Sequence, residues 1–248
     1  MRSTFLASLV ALSLASGCGK APDTNAASAS PADVKVAAPA DGDWSKVVSQ
    51  TPGGAYVMGD PAAPVKLIEI GAMACPFCKK FDQEGAPTLV KDYVRTGKVS
   101  WEFRPYLIHG PVDLAANLIA RCNGKATFFP MVRALYEDQE QWVGRIQAAP
   151  PARMQSLQTL PPNKALIELA TIAGLQDWAA PRGLAHAKAD MCLSDQQMIN
   201  AEVQRSNDVT SQFPDFAGTP AFVANGKLLP KTVSGWATLK PYLDGKAN

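Results

Sequence analysis

Two cysteines separated by two residues, Cys75-Pro76-Phe77-Cys78, stand between a β-rich run and a segment of helical spacing. The run is Val65-Lys66-Leu67-Ile68-Glu69-Ile70, compact and largely apolar, and it predicts a central strand. Gly71-Ala72-Met73-Ala74 ends it, and the cysteine pair follows at once. From Lys79 to Arg95 the residues Phe81, Leu89 and Tyr93 supply an apolar stripe at helical spacing. Pro87 lacks the N–H of the helical ladder, so it is expected to kink or restart that helix, and Gly97 to close it. Val99 to Ile108, with Trp101, Phe103 and Pro105, predicts the next strand. Strand, helix and strand form a βαβ unit, and a C-x-x-C pair beside such a unit reads as a redox motif.

The rest of the chain is organised around that unit. Gly54 to Met58 predicts a short strand, followed by a turn at Gly59-Asp60-Pro61. From Val112 to about Val209 the pattern is helical, with apolar residues three or four apart over Leu114–Ala120, Phe128–Tyr136, Ala165–Leu175 and Met198–Val203. A proline-rich loop around Pro150 and Pro161-Pro162 divides this block. Ala221 to Ala224 and Lys227 to Leu229 flank Asn225-Gly226, a strong hairpin signal, and Trp236 to Leu243 predicts a closing helix. The expected divisions are a core spanning 46–110, a helical insert spanning 111–209, and a second part of the core spanning 210–248. With 248 residues, 47% of them apolar and a formal charge of +2, the chain can bury a real core. No basic cluster suggests nucleic acid or an acidic membrane as partner.

The N-terminus reads as an export segment. Met1-Arg2 is followed by an apolar run from Phe5 to Leu14, then Ala15-Ser16-Gly17 and Cys18. Residues 1–17 are too short for a membrane span, and their ending is similar to a bacterial lipoprotein signal, in which Cys18 would carry lipid. The alternative is an ordinary secretory signal cleaved nearby. Residues 18–45 are rich in Ala, Pro, Ser and Asp, and are expected to form a flexible tether.

Five cysteines leave one over in an exported protein. If Cys18 is lipidated, the remainder can be two pairs: Cys75 with Cys78 by spacing, and Cys122 with Cys192. The second pair would close a loop of about 70 residues. The alternative is two buried thiols that never meet; an oxidising compartment favours the bridge.

The order of elements resembles the DsbA-like branch of the thioredoxin superfamily, in which a helical domain interrupts a thioredoxin core. The resemblance extends from about residue 46 onward. Three features carry it: the Cys75–Cys78 motif at its junction, Glu69 six residues before Cys75, and Gly218-Thr219-Pro220 directly before Ala221-Phe222-Val223. It implies an α/β fold with a central sheet flanked by helices, a catalytic dithiol, a buried acid at Glu69, and a cis-proline at Pro220. Phe77 stands where DsbA itself has histidine, and Thr219 where strong oxidants of the family usually have valine. Both departures put the strength of oxidation in question. The resemblance further implies exchange with cysteine-bearing exported proteins and a membrane partner that resets the dithiol. It points to the periplasm or cell envelope, and calls for no cofactor or metal. A monomer is expected, since the family's dimeric isomerases carry an N-terminal dimerisation domain for which residues 19 to 45 are too short and polar.

The chemistry follows from position. A thiol at a helix N-terminus faces unsatisfied N–H groups and the positive dipole end, which favours its thiolate, and Pro76 fits the first turn because no helical partner awaits its N–H. Lys79 and Lys80 add positive charge, or else face solvent. Glu69 would relay a proton for Cys78, against the alternative of an exposed acid on an edge strand. Pro220 and the Thr219 backbone would receive an extended client. His109 and His186 are expected at the surface; Met73, Phe77 and Met131 are candidates for an apolar client groove, with core packing the simpler account of Met131. Zinc is a poor alternative, because two isolated cysteines and two histidines do not complete a four-ligand set with the pair. A client-holding module without catalysis would have no need of the dithiol. A reductase or isomerase remains the rival within the enzyme class.

Overall fold

The computed structural model describes residues 38–247. The expected signal segment 1–17, the expected lipidation at Cys18 and residues 18–37 of the expected tether lie outside the described residues. Six strands form one sheet: β1 (Val48–Gln50), β2 (Tyr56–Met58), β3 (Val65–Gly71), β4 (Val99–Pro105), β5 (Ala221–Ala224) and β6 (Lys227–Leu228). Their order is β1-β2-β4-β3-β5-β6, with β3 and β4 parallel and every other pair antiparallel. β3 therefore lies in the middle of the sheet. Its Glu69 is flanked by Phe103 on β4 and Phe222 on β5.

The parallel pair requires a crossover, which helices α1 (Pro76–Glu84) and α2 (Ala86–Thr88) and a π-helical turn (Leu89–Val94) provide. The break at Gly85 and Pro87 is the restart expected from the sequence. Phe81 on α1 packs edge-on against Phe222 at 4.7 Å, seating the helix on the sheet.

Eight helices separate β4 from β5: α3 (Pro111–Arg121), α4 (Lys125–Glu137), α5 (Gln139–Gln147), α6 (Pro151–Ser156), α7 (Pro162–Ala173), α8 (Leu175–Ala179), α9 (His186–Ser194) and α10 (Gln196–Gln212). A last helix, α11 (Trp236–Leu243), closes the chain as expected. The insert shares its core with the sheet. Phe128 contacts Tyr56 at 4.7 Å and Phe103 at 5.8 Å, and Phe129 contacts Trp101 at 5.1 Å. Arg121 on α3 and Arg205 on α10 both pair with the buried Glu202, at 2.5 and 2.6 Å. Cys122 at the end of α3 is bonded to Cys192 on α9, with Cα atoms 5.8 Å apart.

Several expected boundaries shift. The part expected as tether up to residue 45 already packs on the core at Trp44: Trp44–Lys46 forms a 3₁₀ turn capped by Asp43, and the Trp44 N–H donates to the Arg95 carbonyl at 3.1 Å. β1 had no sequence signal, being only Val-Ser-Gln, and pairing with β2 creates it. β4 stops at Pro105, opposite Gly71 where β3 itself ends, and the Tyr106 N–H makes the last bond of the ladder to the Gly71 carbonyl at 2.8 Å. Leu229 lies beyond β6, and α10 runs three residues past Val209.

The Cys122–Cys192 bond closes a 70-residue separation. Replacing both cysteines by alanine is expected to cost roughly 4 kcal/mol in the chain-entropy account, read as a lower urea midpoint.

Candidate active site

Cys75 caps α1 in an extended conformation, φ −78° and ψ 120°, and Pro76 occupies the first turn. This puts the residue at the helix end where N–H groups lack helical partners, although its side chain makes no capping hydrogen bond. Cys75 and Cys78 are both free thiols in the structure. The Thr219–Pro220 peptide is cis, and the Cys75 Sγ–H donates to the Thr219 carbonyl at 3.4 Å. Cys78 has no exposed surface and accepts the Ala72 N–H at 3.5 Å.

The two sulfurs differ in acidity. The Cys78 thiol donates to Cys75, and this bond, with the Phe77 and Cys78 N–H groups and a contact from Thr219, outweighs burial and brings Cys75 from 9.0 down to about 6. Burial pushes Cys78 well above 9.0, and the neighbouring Cys75 and Glu69 push the same way. One sulfur holds charge at neutral pH and the other keeps its proton.

Glu69 lies 1% exposed on β3, beneath the dithiol, and not at an edge. The Trp101 indole N–H donates to its Oε2 at 3.1 Å, while Oε1 has no hydrogen-bond partner. Burial holds this carboxyl well above the usual range, and the charge of Asp82 adds to the effect. Asp82, one helical turn after Cys78, is itself buried and raised to about 6, chiefly by desolvation against the opposing pull of Arg133. Nothing in the sequence marked it, since a helix acid normally faces water.

The segment that delivers Cys75 is held from the insert. Tyr136 Oη donates to the Ala72 carbonyl at 3.2 Å, and Gln139 Nε2 donates to the carbonyls of Met73 at 2.7 Å and Cys75 at 3.0 Å. Asp113 accepts the Ala74 N–H at 2.8 Å and the His109 N–H at 2.6 Å. All three side chains are buried, and sequence reasoning singled out none of them.

Of the expected groove residues, only Phe77 is exposed, at 67%. Met73 and Met131 are core residues and line no groove; Met73 turns inward because its segment is pinned on both sides. His109 is at the surface, yet its ring lies 3.1 Å from Asp113. His186 is exposed and pairs with Asp177 at 3.1 Å. Lys79 is held by Glu140 at 2.6 Å, and Lys80 lies 3.9 Å from Glu84, so the positive charge of both is engaged away from Cys75.

A reduced dithiol of unequal acidity, on a thioredoxin core interrupted by helices, is the architecture of the DsbA-like thiol:disulfide oxidoreductases. The sequence profile described as thioredoxin matches residues 51–244, and the protein belongs to that family. A protein-disulfide isomerase from Novosphingobium aromaticivorans is similar in structure, with TM-score 0.71 and 28% identity over 77% of this chain and 95% of that one. Wolbachia pipientis alpha-DsbA1 shares the fold, with TM-score 0.60 and 18% identity over 79% of this chain and 92% of its own. In sequence, the Rickettsia typhi protein named "Putative protein-disulfide oxidoreductase" is 25% identical over 73% of this chain, which spans 58% of that relative's length.

Thiolate absorbance of the reduced protein should appear with a midpoint near pH 6, amount to one sulfur up to pH 9, and vanish in Cys75→Ser. The depressed acid gives a definite sign. Its stabilising contribution to the reduced protein grows from about pH 6 to 9 and is lost as the pH falls through 6. The urea midpoint relative to Cys75→Ser should therefore rise over that window and stay flat below it.

Proposed function

We propose that this protein is an extracytoplasmic thiol–disulfide oxidoreductase that donates the Cys75–Cys78 disulfide to exported proteins. The observation that carries the reading is the acidity of Cys75, set beside a buried, protonated Cys78. In the oxidised protein, a client thiolate attacks Cys75. The Cys75–Cys78 bond breaks, a client–Cys75 mixed disulfide forms, and Cys78 leaves with the electron pair and takes up a proton. Glu69, buried on the strand beneath and holding its proton, would supply it. A second client thiolate then attacks the client sulfur of the mixed disulfide and expels Cys75. The client has lost two electrons to the dithiol and gained a disulfide. A low-pKa thiol leaves readily, so an acidic Cys75 favours this direction.

The Thr219 carbonyl beside Cys75 supports an extended client segment pairing at this edge, and exposed Phe77 supplies apolar contact. A membrane redox partner would restore the disulfide; the protein would act as a monomer in the periplasm or cell envelope, held by lipid on Cys18 where that residue is modified. No helix among the described residues is long and apolar enough to cross a membrane.

The oxidised protein should form disulfides in a reduced, unfolded client such as ribonuclease, and Cys75→Ser should abolish this. The reduction potential against glutathione is expected well above that of thioredoxin, about −270 mV; a value near −270 mV would indicate a reductase. Activity confined to the reduced protein and scrambled clients would indicate an isomerase, as the similar Novosphingobium protein is named.

Glu69→Gln should slow client oxidation several-fold while raising stability at pH 7, measured by urea unfolding. Because the folded pKa exceeds the unfolded one, folding pays to keep Glu69 protonated once the pH passes about 4.5. The variant's gain should therefore disappear toward pH 4.

A further inference from the structure

We propose that Gln139, on the helical insert, is a positioning residue for Cys75: its side-chain amide holds the carbonyls of Met73 and Cys75 and fixes the angle at which the sulfur meets α1. The proposal deepens the oxidoreductase reading and rests on it for its consequence in exchange.

Gln139 opens α5, inside the polar run Asp138-Gln139-Glu140-Gln141. A glutamine in such a run belongs in water by composition, yet this one is 4% exposed. Its Nε2 reaches Met73 O at 2.7 Å and Cys75 O at 3.0 Å, which uses both amide hydrogens on one turn of the chain. The support behind it is firm. Trp142, one turn along α5, is buried, and its indole N–H donates to Leu135 O at 2.9 Å. Glu140, the next residue, pairs with Lys79 on α1.

The Cys75 carbonyl is the informative contact. The peptide between Cys75 and Pro76 has no N–H, because the nitrogen belongs to proline. That unit can be anchored only through its oxygen. Two donors do so: the Lys79 N–H at 3.1 Å, the first bond of α1, and Gln139 Nε2. The direction of this carbonyl is the ψ angle of Cys75, which stands at 120°. Turning it would swing the helix start, with the N–H groups of Phe77 and Cys78, relative to the Cys75 sulfur. Gln139 therefore acts on the thiolate without touching it.

Gln139→Met keeps the volume and removes both donors. Iodoacetamide alkylation of the reduced protein, followed from pH 4.5 to 9, should show the Cys75 midpoint moving up by about one unit. That is roughly a tenfold lower rate at pH 5, with the two proteins converging above pH 8. A merely structural role would lower the urea midpoint and leave the titration midpoint in place; that outcome overturns the proposal. Should Gln139→Met fail to fold, the wild-type protein decides. The side-chain amide resonances of Gln139 in ¹⁵N-labelled protein should shift with the Cys75 midpoint, and resonances indifferent to that titration overturn the proposal. Alkylation reports the thiolate alone, so the proposal can stand if wild-type protein fails to oxidise clients, and can fall if it succeeds.

Discussion

Cys75 holds negative charge at low cost because the Cys78 thiol donates to its sulfur, with Thr219 and the N–H groups that open α1 adding to the effect. The rest of the site depends on that contact. Cys78, one turn in and sealed from solvent, donates its own proton to the same sulfur and keeps it there. Two chemically identical side chains three residues apart are thus separated in acidity by environment alone. Pro76 helps without a contact, by occupying a position where an N–H would have no partner.

The sheet supplies the second half of the arrangement. β3 ends at Gly71, where an added Cβ would lie 2.7 Å from the Phe103 ring, so only glycine leaves room for that ring where the strand hands over to the dithiol. Glu69 stands on this central strand with 1% of its surface exposed. A carboxyl so placed costs stability when ionised, and its Oε1 has no hydrogen-bond partner to offset that cost. Asp82 adds a second raised acid at the edge of the same pocket of buried groups, closer to α4 and to water.

How much of this was legible follows from which contacts are local. The βαβ unit, the junction of Cys75 with its helix, the restart at Pro87 and the closing helix from Trp236 to Leu243 were all readable, because each is written within a few consecutive residues. Pro220 was readable only through the family resemblance. Tyr136, Gln139 and Asp113 were not, and for a definite reason. Each reaches back 39 to 66 residues to a backbone atom of the Ala72–Cys75 segment, and a backbone carbonyl or N–H leaves no trace in sequence. Met73 was misplaced for the same cause: those bonds turn its segment, and with it the side chain, into the core.

The insert is therefore part of the site rather than a cover laid over it. Every non-local side-chain bond described for the Ala72–Cys75 backbone comes from α3, α4 or α5. Those helices are themselves braced from behind. The Cys122–Cys192 bond ties α3 to α9, and the buried Arg121–Glu202 pair ties it to α10, so Asp113 is presented from a helix fixed at both its sequence-distant neighbours. A thioredoxin core alone could place a cysteine at a helix start. What the inserted helices add is control of the turn before it, where small rotations decide how many N–H groups the sulfur meets.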